Sequence, residues 1–122
     1  MIWVVTDHDE TRESLVPLIA AQGYDVFEVA CGNELVKRIR FQSPALAIID
    51  CGMPDSFQTL ATIRAKPRWR TIRVIMFSID DEDLKEQSLM KGADSYVPKG
   101  SRDWGELLNE VARLAGPPGK HE

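Results

Sequence analysis

Four polar side chains that could carry chemistry each stand at the end of a short apolar segment. Asp7 and Asp50 follow the first and third of these segments, Ser78 ends the fourth, and Lys99 closely follows the fifth. Magnesium is commonly held by one or two carboxylates together with water and phosphate oxygens. A carboxylate can also attack phosphorus to form an aspartyl phosphate, and hydroxyl and ammonium groups can stabilise the phosphoryl oxygens. These residue types therefore predict phosphoryl chemistry, if the fold brings them together.

Asp50 is the first candidate because of the segment that precedes it. Residues 45–49 are all apolar, and Gly52 and Pro54 then end the segment. A short, continuously apolar run is typical of a strand buried on both faces of a parallel sheet, and open α/β sheets place their chemistry at the carboxyl ends of the strands. An aspartate that only begins a turn is the simpler interpretation. The other candidate residues favour a functional role for Asp50.

Strand and helix patterns alternate along the whole chain. Apolar, β-branched runs predict strands over 2–5, 25–29, 45–50, 72–77 and 95–97. Helical periodicity and stop signals predict helices over 10–22, 33–41, 55–66, 81–91 and 103–115. Pro17 lies inside the first predicted helix and is expected to kink it or shift its start. Capping boxes are predicted at Asp55–Gln58 and at Asp103–Glu106.

This alternation predicts an α/β fold, a doubly wound five-stranded parallel sheet with helices on both faces. Right-handed crossovers restrict the topologies, and the order 2-1-3-4-5 needs only five strands, with its switch point between strands 1 and 3. In that order Asp7, Asp50 and Ser78 converge, and Lys99 reaches in from the side. Two carboxylates about 4 Å apart repel by about 4 kcal/mol at an effective dielectric constant of about 20. The cluster therefore needs a cation.

Composition restricts the class of protein. The 122 residues, 43% hydrophobic and 28% charged, predict one domain over 1–116 with a flexible tail over 117–122. The net charge of -4 argues against a direct nucleic-acid partner. No apolar run approaches the roughly 18 residues that span a bilayer, and two cysteines are too few for a disulfide framework. We expect a cytoplasmic protein with no membrane partner.

Four segments resemble the receiver domains of two-component response regulators: Val4–Asp7, Ile48–Pro54, Ile75–Ser78 and Gly92–Lys99. They follow the order and spacing of that family and cover nearly the whole chain. The resemblance implies a CheY-like, flavodoxin-type fold. It also implies that the domain acts as a switch more than as an enzyme, and that phosphorylation changes the face formed by helix 4, strand 5 and helix 5. It implies a sensor histidine kinase or phosphotransfer protein as donor and a downstream effector protein or domain, and it leaves a homodimer open.

The resemblance also implies a role for each candidate residue. Asp50 would accept a phosphoryl group from a kinase's phosphohistidine in a reaction that requires Mg²⁺. Ser78 and Tyr96 would form the switch, Tyr96 reporting phosphorylation through its rotamer. The implied metal ligands are Asp7, Asp50 and the Gly52 carbonyl, and the implied phosphoryl contacts are Ser78 and Lys99.

Three residues depart from the pattern of this family. Thr6 stands where the first of two adjacent acids is usual, and loss of such an outer-shell partner typically costs about 10- to 100-fold in metal affinity or activity. Ile79 replaces a small residue. Gly100 replaces the proline after Lys99, so a trans peptide is expected there, because non-proline cis bonds cost about 2.5 to 4 kcal/mol. A second hypothesis is therefore a pseudo-receiver, which binds partners without phosphorylation.

A different class of enzyme also fits part of the sequence. Asp7, Asp9 and Thr11 match the D-x-D-x-T signature of haloacid-dehalogenase-type phosphatases, with Asp7 as nucleophile and Asp9 as acid and base. Asp50 then has no role, no second acidic motif ends an apolar strand after Lys99, and the chain is short for that family. Phosphate trapped on Asp7 instead of Asp50 would select the phosphatase.

Overall fold

The computed structural model describes residues 1–99 and 104–118. Within them, the strands are β1 (Ile2–Val5), β2 (Val26–Val29), β3 (Leu46–Asp50), β4 (Arg73–Ser78) and β5 (Ser95–Pro98). The α-helices are α1 (Asp9–Ala21), α2 (Gly32–Arg38), α3 (Ser56–Ala65), α4 (Glu82–Met90) and α5 (Gly105–Ala115). A short 3₁₀ helix (Pro67–Trp69) precedes β4.

The strands form one parallel sheet in the order β2-β1-β3-β4-β5, which confirms the predicted topology. β1 and β3 are neighbours, with Val5 opposite Ile49. β3 and β4 are also neighbours, with Asp50 opposite Phe77. The carboxyl ends of β1, β3 and β4 therefore lie side by side at one edge of the sheet.

The core has two layers, one on each face of the sheet. Because successive side chains of a strand point to opposite faces, Val5 and Ile49 pack in one layer and Val4 and Ile48 in the other. Every residue of β1 and β3 is buried. This two-sided burial is the physical reason for the continuous apolar runs in the sequence.

α1 continues through Pro17 and begins at Asp9, one residue before the predicted start. Its N-cap is His8, whose Nδ1 accepts a hydrogen bond from the Thr11 amide at 3.2 Å. Proline removes one helical hydrogen bond and crowds the preceding turn. The contacts of Leu15 and Ile19, both fully buried, hold this segment against the sheet.

The capping box predicted at Asp55–Gln58 is wrong. Asp55 does precede α3, but its side chain makes no capping hydrogen bond. Its carboxylate instead faces Gly32, at which an added Cβ would lie 2.7 Å from Asp55 Oδ2. A tertiary contact with the start of α2 therefore takes the side chain that the sequence pattern assigned to a local cap.

One of the acids at the start of α4 has a local structural role. Asp81 is the N-cap, and its Oδ1 accepts hydrogen bonds from the amides of Asp83 and Leu84 at 2.9 and 3.1 Å. Such caps stabilise a helix start because they satisfy otherwise unpaired amides. Asp81 therefore stabilises the start of α4.

α5 begins at Gly105, and its N-cap residue is Trp104, in the left-handed region with φ 57°. Two predictions, the capping box at Asp103 and the trans peptide at Gly100, lie outside the described residues. After α5, the Tyr24 hydroxyl donates to the Gly116 carbonyl at 2.6 Å. The boundary between domain and tail stays a prediction. None of the described helices has the length and apolar character needed to cross a membrane.

Candidate functional site

The carboxyl edge of the sheet carries a cavity of about 270 Å³ that contains most of the predicted residues. It is lined by Asp7, His8, Asp50, Gly52, Ser78, Ile79 and Lys99. The strand order thus brings together side chains that are far apart in sequence, as expected for a doubly wound sheet. Thr6 and Tyr96 do not line the cavity, but both contact residues that do.

Asp50 lies at the base of this cavity, only 3% exposed. Its Oδ1 accepts a hydrogen bond from the Gly52 amide at 2.8 Å. Its Oδ2 accepts one from the Thr6 hydroxyl at 2.8 Å and one from Lys99 Nζ at 3.4 Å. A carboxylate this buried needs such partners, because burial without them carries a large desolvation cost.

The turn after β3 wraps the backbone around Asp50. Cys51 continues the pairing with β4 by donating its amide to the Phe77 carbonyl at 2.8 Å. The chain then reverses, so that the Gly52 amide points at Asp50. A Cβ at residue 52 would lie 3.1 Å from Asp50 Oδ1, closer than ordinary contact. Glycine at this position therefore lets the backbone approach the carboxylate closely.

Thr6 is the part of the site that sequence reasoning missed. The sequence identifies Thr6 only as the replacement of an acid. In the structure it is fully buried, and its hydroxyl donates a hydrogen bond directly to Asp50. The same oxygen accepts a hydrogen bond from the His8 amide at 3.1 Å. The usable signal was a hydroxyl-bearing residue at the end of β1, which the predicted order places beside β3.

Lys99 is the cation of the site. Its side chain is 28% exposed, and besides Asp50 its Nζ lies 5.1 Å from the centroid of the Phe77 ring. The ring face attracts an ammonium group. The Lys99 amide also donates to the Ser78 carbonyl at 2.5 Å, which continues the pairing of β4 and β5. The backbone of Lys99 is therefore held by β4, while its ammonium contacts both the carboxylate and the ring.

Tyr96 is buried beside the loop that follows β4. Its hydroxyl donates to the carbonyl of Ile79 at 2.5 Å, and the residue is 7% exposed. Burial raises the pKa of Tyr96 to about 12, and the nearby carboxylates of Asp80 and Asp81 add to that rise. Tyr96 is therefore a neutral hydrogen-bond donor at ordinary pH. The residue it holds comes directly after Ser78, which is buried and lines the cavity.

Cys51 is next to Asp50 but does not extend the chemistry of the site. Burial raises the pKa of its thiol to about 11, and its Sγ lies 3.7 Å from the Ser88 hydroxyl. The thiolate is the reactive form of cysteine. Cys51 is therefore a packing residue and not a nucleophile.

The donors in the cavity fit a magnesium ion of the kind the sequence predicted. Asp7 is exposed at the rim, Asp50 is buried at the base, and the Gly52 backbone lies in the same cavity. No group of three or more metal-binding side chains occurs in residues 1–99 and 104–118. Magnesium typically needs only one or two carboxylates, because water and phosphate oxygens complete its shell. With one lysine against two carboxylates, the cavity attracts cations.

Comparison with known proteins points to a single family. The family model of the response regulator receiver domain matches residues 2–112. The aerobic respiration control protein ArcA of Escherichia coli is 30% identical over 98 residues, which cover 80% of this chain and 41% of ArcA. The chain thus spans less than half the length of that relative.

Two solved structures are similar over nearly the whole chain. The signal receiver domain of a signal transduction histidine kinase from Syntrophus aciditrophicus has a TM-score of 0.83 and 30% identity, covering 99% of this chain and 93% of that one. The receiver domain of a sensor histidine kinase from Pseudomonas aeruginosa has a TM-score of 0.82 and 25% identity, covering 94% and 96%. That protein has a magnesium ion coordinated in its active-site cleft.

Proposed function

Because this chain belongs to the response regulator receiver family, we propose that it acts in a phosphorelay by accepting a phosphoryl group on Asp50. The supporting observation is the setting of this carboxylate, which is buried at the base of the cavity and 3.4 Å from the ammonium of Lys99. The phosphatase alternative requires Asp7 as nucleophile. Asp7 is exposed at the rim, and family membership favours the receiver interpretation.

In the proposed reaction, a carboxylate oxygen of Asp50 attacks phosphorus and the bond from phosphorus to the donor's imidazole nitrogen breaks. The imidazole leaves with the electron pair of that bond and takes up a proton. The Gly52 amide and the Thr6 hydroxyl orient the carboxylate. As negative charge develops on the phosphoryl oxygens, the Lys99 ammonium moves to contact them, and the Ser78 hydroxyl donates a hydrogen bond to them.

A magnesium ion bound by Asp7, Asp50 and the Gly52 carbonyl would neutralise phosphoryl charge. In its absence the two carboxylates would repel an anionic donor, with only Lys99 to offset them. We therefore propose that Mg²⁺ is required for phosphorylation. The placement of both carboxylates and Gly52 around one cavity supports this requirement.

We propose Ser78 and Tyr96 as the switch. Recruitment of the Ser78 hydroxyl to a phosphoryl group would displace the backbone of the next residue, whose carbonyl holds the Tyr96 hydroxyl. Such local changes at a phosphorylated site bias a two-state element. Here that element is the face formed by α4, β5 and α5, and α4 carries two exposed apolar residues, Leu89 and Met90.

The proposed partners follow from this reaction. The donor is a phosphohistidine on a sensor kinase or phosphotransfer protein, and the output is an effector protein or domain that recognises the switched face. The domain catalyses its own phosphotransfer and dephosphorylation, and its proposed location is the cytoplasm.

Phosphorylation with a small donor tests the proposal. The wild-type chain is incubated with acetyl phosphate and Mg²⁺, and its intact mass is compared with that of D50N and D7N. We expect one phosphoryl group on the wild type, none on D50N, and trapping with hydride followed by peptide mapping to place it on Asp50. Phosphate on Asp7, or no adduct at saturating Mg²⁺ and with a phosphohistidine donor, would refute the proposal.

One observation favours the pseudo-receiver as a second candidate. Asp50 already has an amide, a hydroxyl and an ammonium of the protein itself as partners. A module of this kind would bind its partners equally well as wild type and as D50N. The absence of an adduct combined with unchanged partner binding would select it.

A further inference from the structure

Asp50 has fewer free acceptor positions than the proposed reaction needs. A carboxylate offers about four lone-pair positions, and three of them are taken by Gly52, Thr6 and Lys99. Both positions on Oδ2 are occupied, by Thr6 and Lys99. The proposed function, on which this inference rests, requires one position for a cation and one for phosphorus. One of the present donors must therefore withdraw.

Lys99 can withdraw and Thr6 cannot. The Lys99 contact is long, at 3.4 Å, and its flexible side chain is 28% exposed. Thr6 is fully buried, its amide donates to the Val29 carbonyl at 3.1 Å, and its hydroxyl is held by the His8 amide. A β-branched side chain also has few rotamers. The hydroxyl bond to Asp50 is therefore a fixed feature of the site.

We propose that Thr6 is a positioning residue that holds Asp50 Oδ2 and thereby lowers the affinity of the site for divalent cations. Even after Lys99 withdraws, the hydroxyl keeps one of the two acceptor positions on Oδ2 and so reduces the negative charge that this oxygen presents to a cation. Unlike a carboxylate at this position, it brings no negative charge of its own. In exchange, it keeps Asp50 oriented when no cation is bound. Thr6 thus sets the concentration of divalent cation that is needed to occupy the site.

The test measures Mg²⁺ binding to the unphosphorylated chain by isothermal titration calorimetry. T6V removes the hydroxyl with little change of shape, and we expect it to bind Mg²⁺ about 3- to 10-fold more tightly, within what a hydrogen bond to a charged group contributes. T6S restores the hydroxyl and should match the wild type within about twofold. T6D, which adds a carboxylate, should bind at least about tenfold more tightly.

Thr59 supplies the matched control, because its hydroxyl is also buried but donates to the Asp55 carbonyl, away from the cavity. T59V should leave Mg²⁺ affinity unchanged. Circular dichroism checks that each variant is folded, and T6A replaces T6V if the latter does not fold. Equal or weaker binding by the hydroxyl-free variant would overturn the role of Thr6, as would no binding by both it and T6D.

This result is separable from the fate of the proposed function. Tighter Mg²⁺ binding by T6V with no phosphoryl adduct on the wild type would support Thr6 as positioning residue and refute Asp50 as phosphoacceptor. An adduct on Asp50 with the same Mg²⁺ affinity in T6V and wild type would support Asp50 as phosphoacceptor and overturn the role of Thr6.

Discussion

The ion pair between Lys99 and Asp50 should have a larger coupling free energy than an exposed pair at a similar distance, because one partner is buried. Coulomb's law at 3.4 Å gives about 5 kcal/mol at an effective dielectric constant of about 20 and about 1.2 kcal/mol in water. The Asp50 side chain is 4% exposed but that of Lys99 is 28% exposed. Solvent screening at the lysine places the expected coupling near the lower bound, at about 1 to 2 kcal/mol.

A double-mutant cycle measures this coupling directly. The free energies of unfolding of wild type, K99M, D50N and the double variant are obtained from urea titrations at pH 7. Arg38 and Glu34 provide the comparison, because they are 3.3 Å apart but 48% and 35% exposed. That pair should couple by only about 0.3 to 0.5 kcal/mol.

High salt gives a second discriminating measurement. The Debye length falls to about 3 Å at 1 M salt, which should remove most of the coupling of the exposed pair and only part of that between Lys99 and Asp50. Equal coupling energies in the two cycles would refute the reasoning from burial. A coupling near zero for Lys99 and Asp50 would show that the ammonium does not contact the carboxylate.

Two further predictions concern Tyr96 and Gly52. Y96F loses the bond to the Ile79 carbonyl and should reduce the free energy of unfolding by about 1 kcal/mol. Because the pKa of Tyr96 is raised to about 12, its contribution is fully present below the ordinary tyrosine pKa of about 10 and is lost as pH rises towards 12. Both proteins are compared with C51S added, because that substitution removes the other group with a raised pKa. In urea titrations from pH 8 to 11.5, the free energy of unfolding should fall more steeply with pH when Tyr96 is present than in Y96F. Parallel curves would contradict this prediction. G52A places a Cβ 3.1 Å from Asp50 Oδ1 and should slow phosphorylation by acetyl phosphate several-fold. G116A, with open space around its Cβ, should not slow it; equal rates in G52A and wild type would contradict the prediction.

The fold followed from the sequence because its determinants are local. Each strand that is buried on both faces must be continuously apolar, so β1 and β3 were visible as runs of residues. The number and alternation of elements then left few topologies. Helix ends differed from the predicted ones by up to three residues, because they depend on caps. Asp55 shows the reason, since its carboxylate faces Gly32 and not its own helix.

The positions of the site residues were predictable, but their partners were not. The pattern locates Thr6 and Asp50 at the ends of neighbouring strands. It does not give the rotamer that points the Thr6 hydroxyl at the carboxylate 44 positions away in sequence. The pattern also does not give the hydrogen bond from the Tyr96 hydroxyl to the Ile79 carbonyl. Both depend on strand register and on the path of a loop, which are settled only by packing in three dimensions.

The contacts around Asp50 explain why a change there would reach α5 as well as the loop after β4. Lys99 contacts Asp50 on one side and the ring of Phe77 on the other. Phe77 in turn meets Trp104 edge-on, with ring centroids 5.8 Å apart, and Trp104 is the N-cap residue of α5. Withdrawal of the ammonium from Asp50 would therefore change its contact with the Phe77 ring, which in turn contacts the N-cap residue of α5. Together with the Tyr96 hydroxyl on β5, this gives the cavity two physical connections to the same face, so the output surface is expected where α5 and β5 meet.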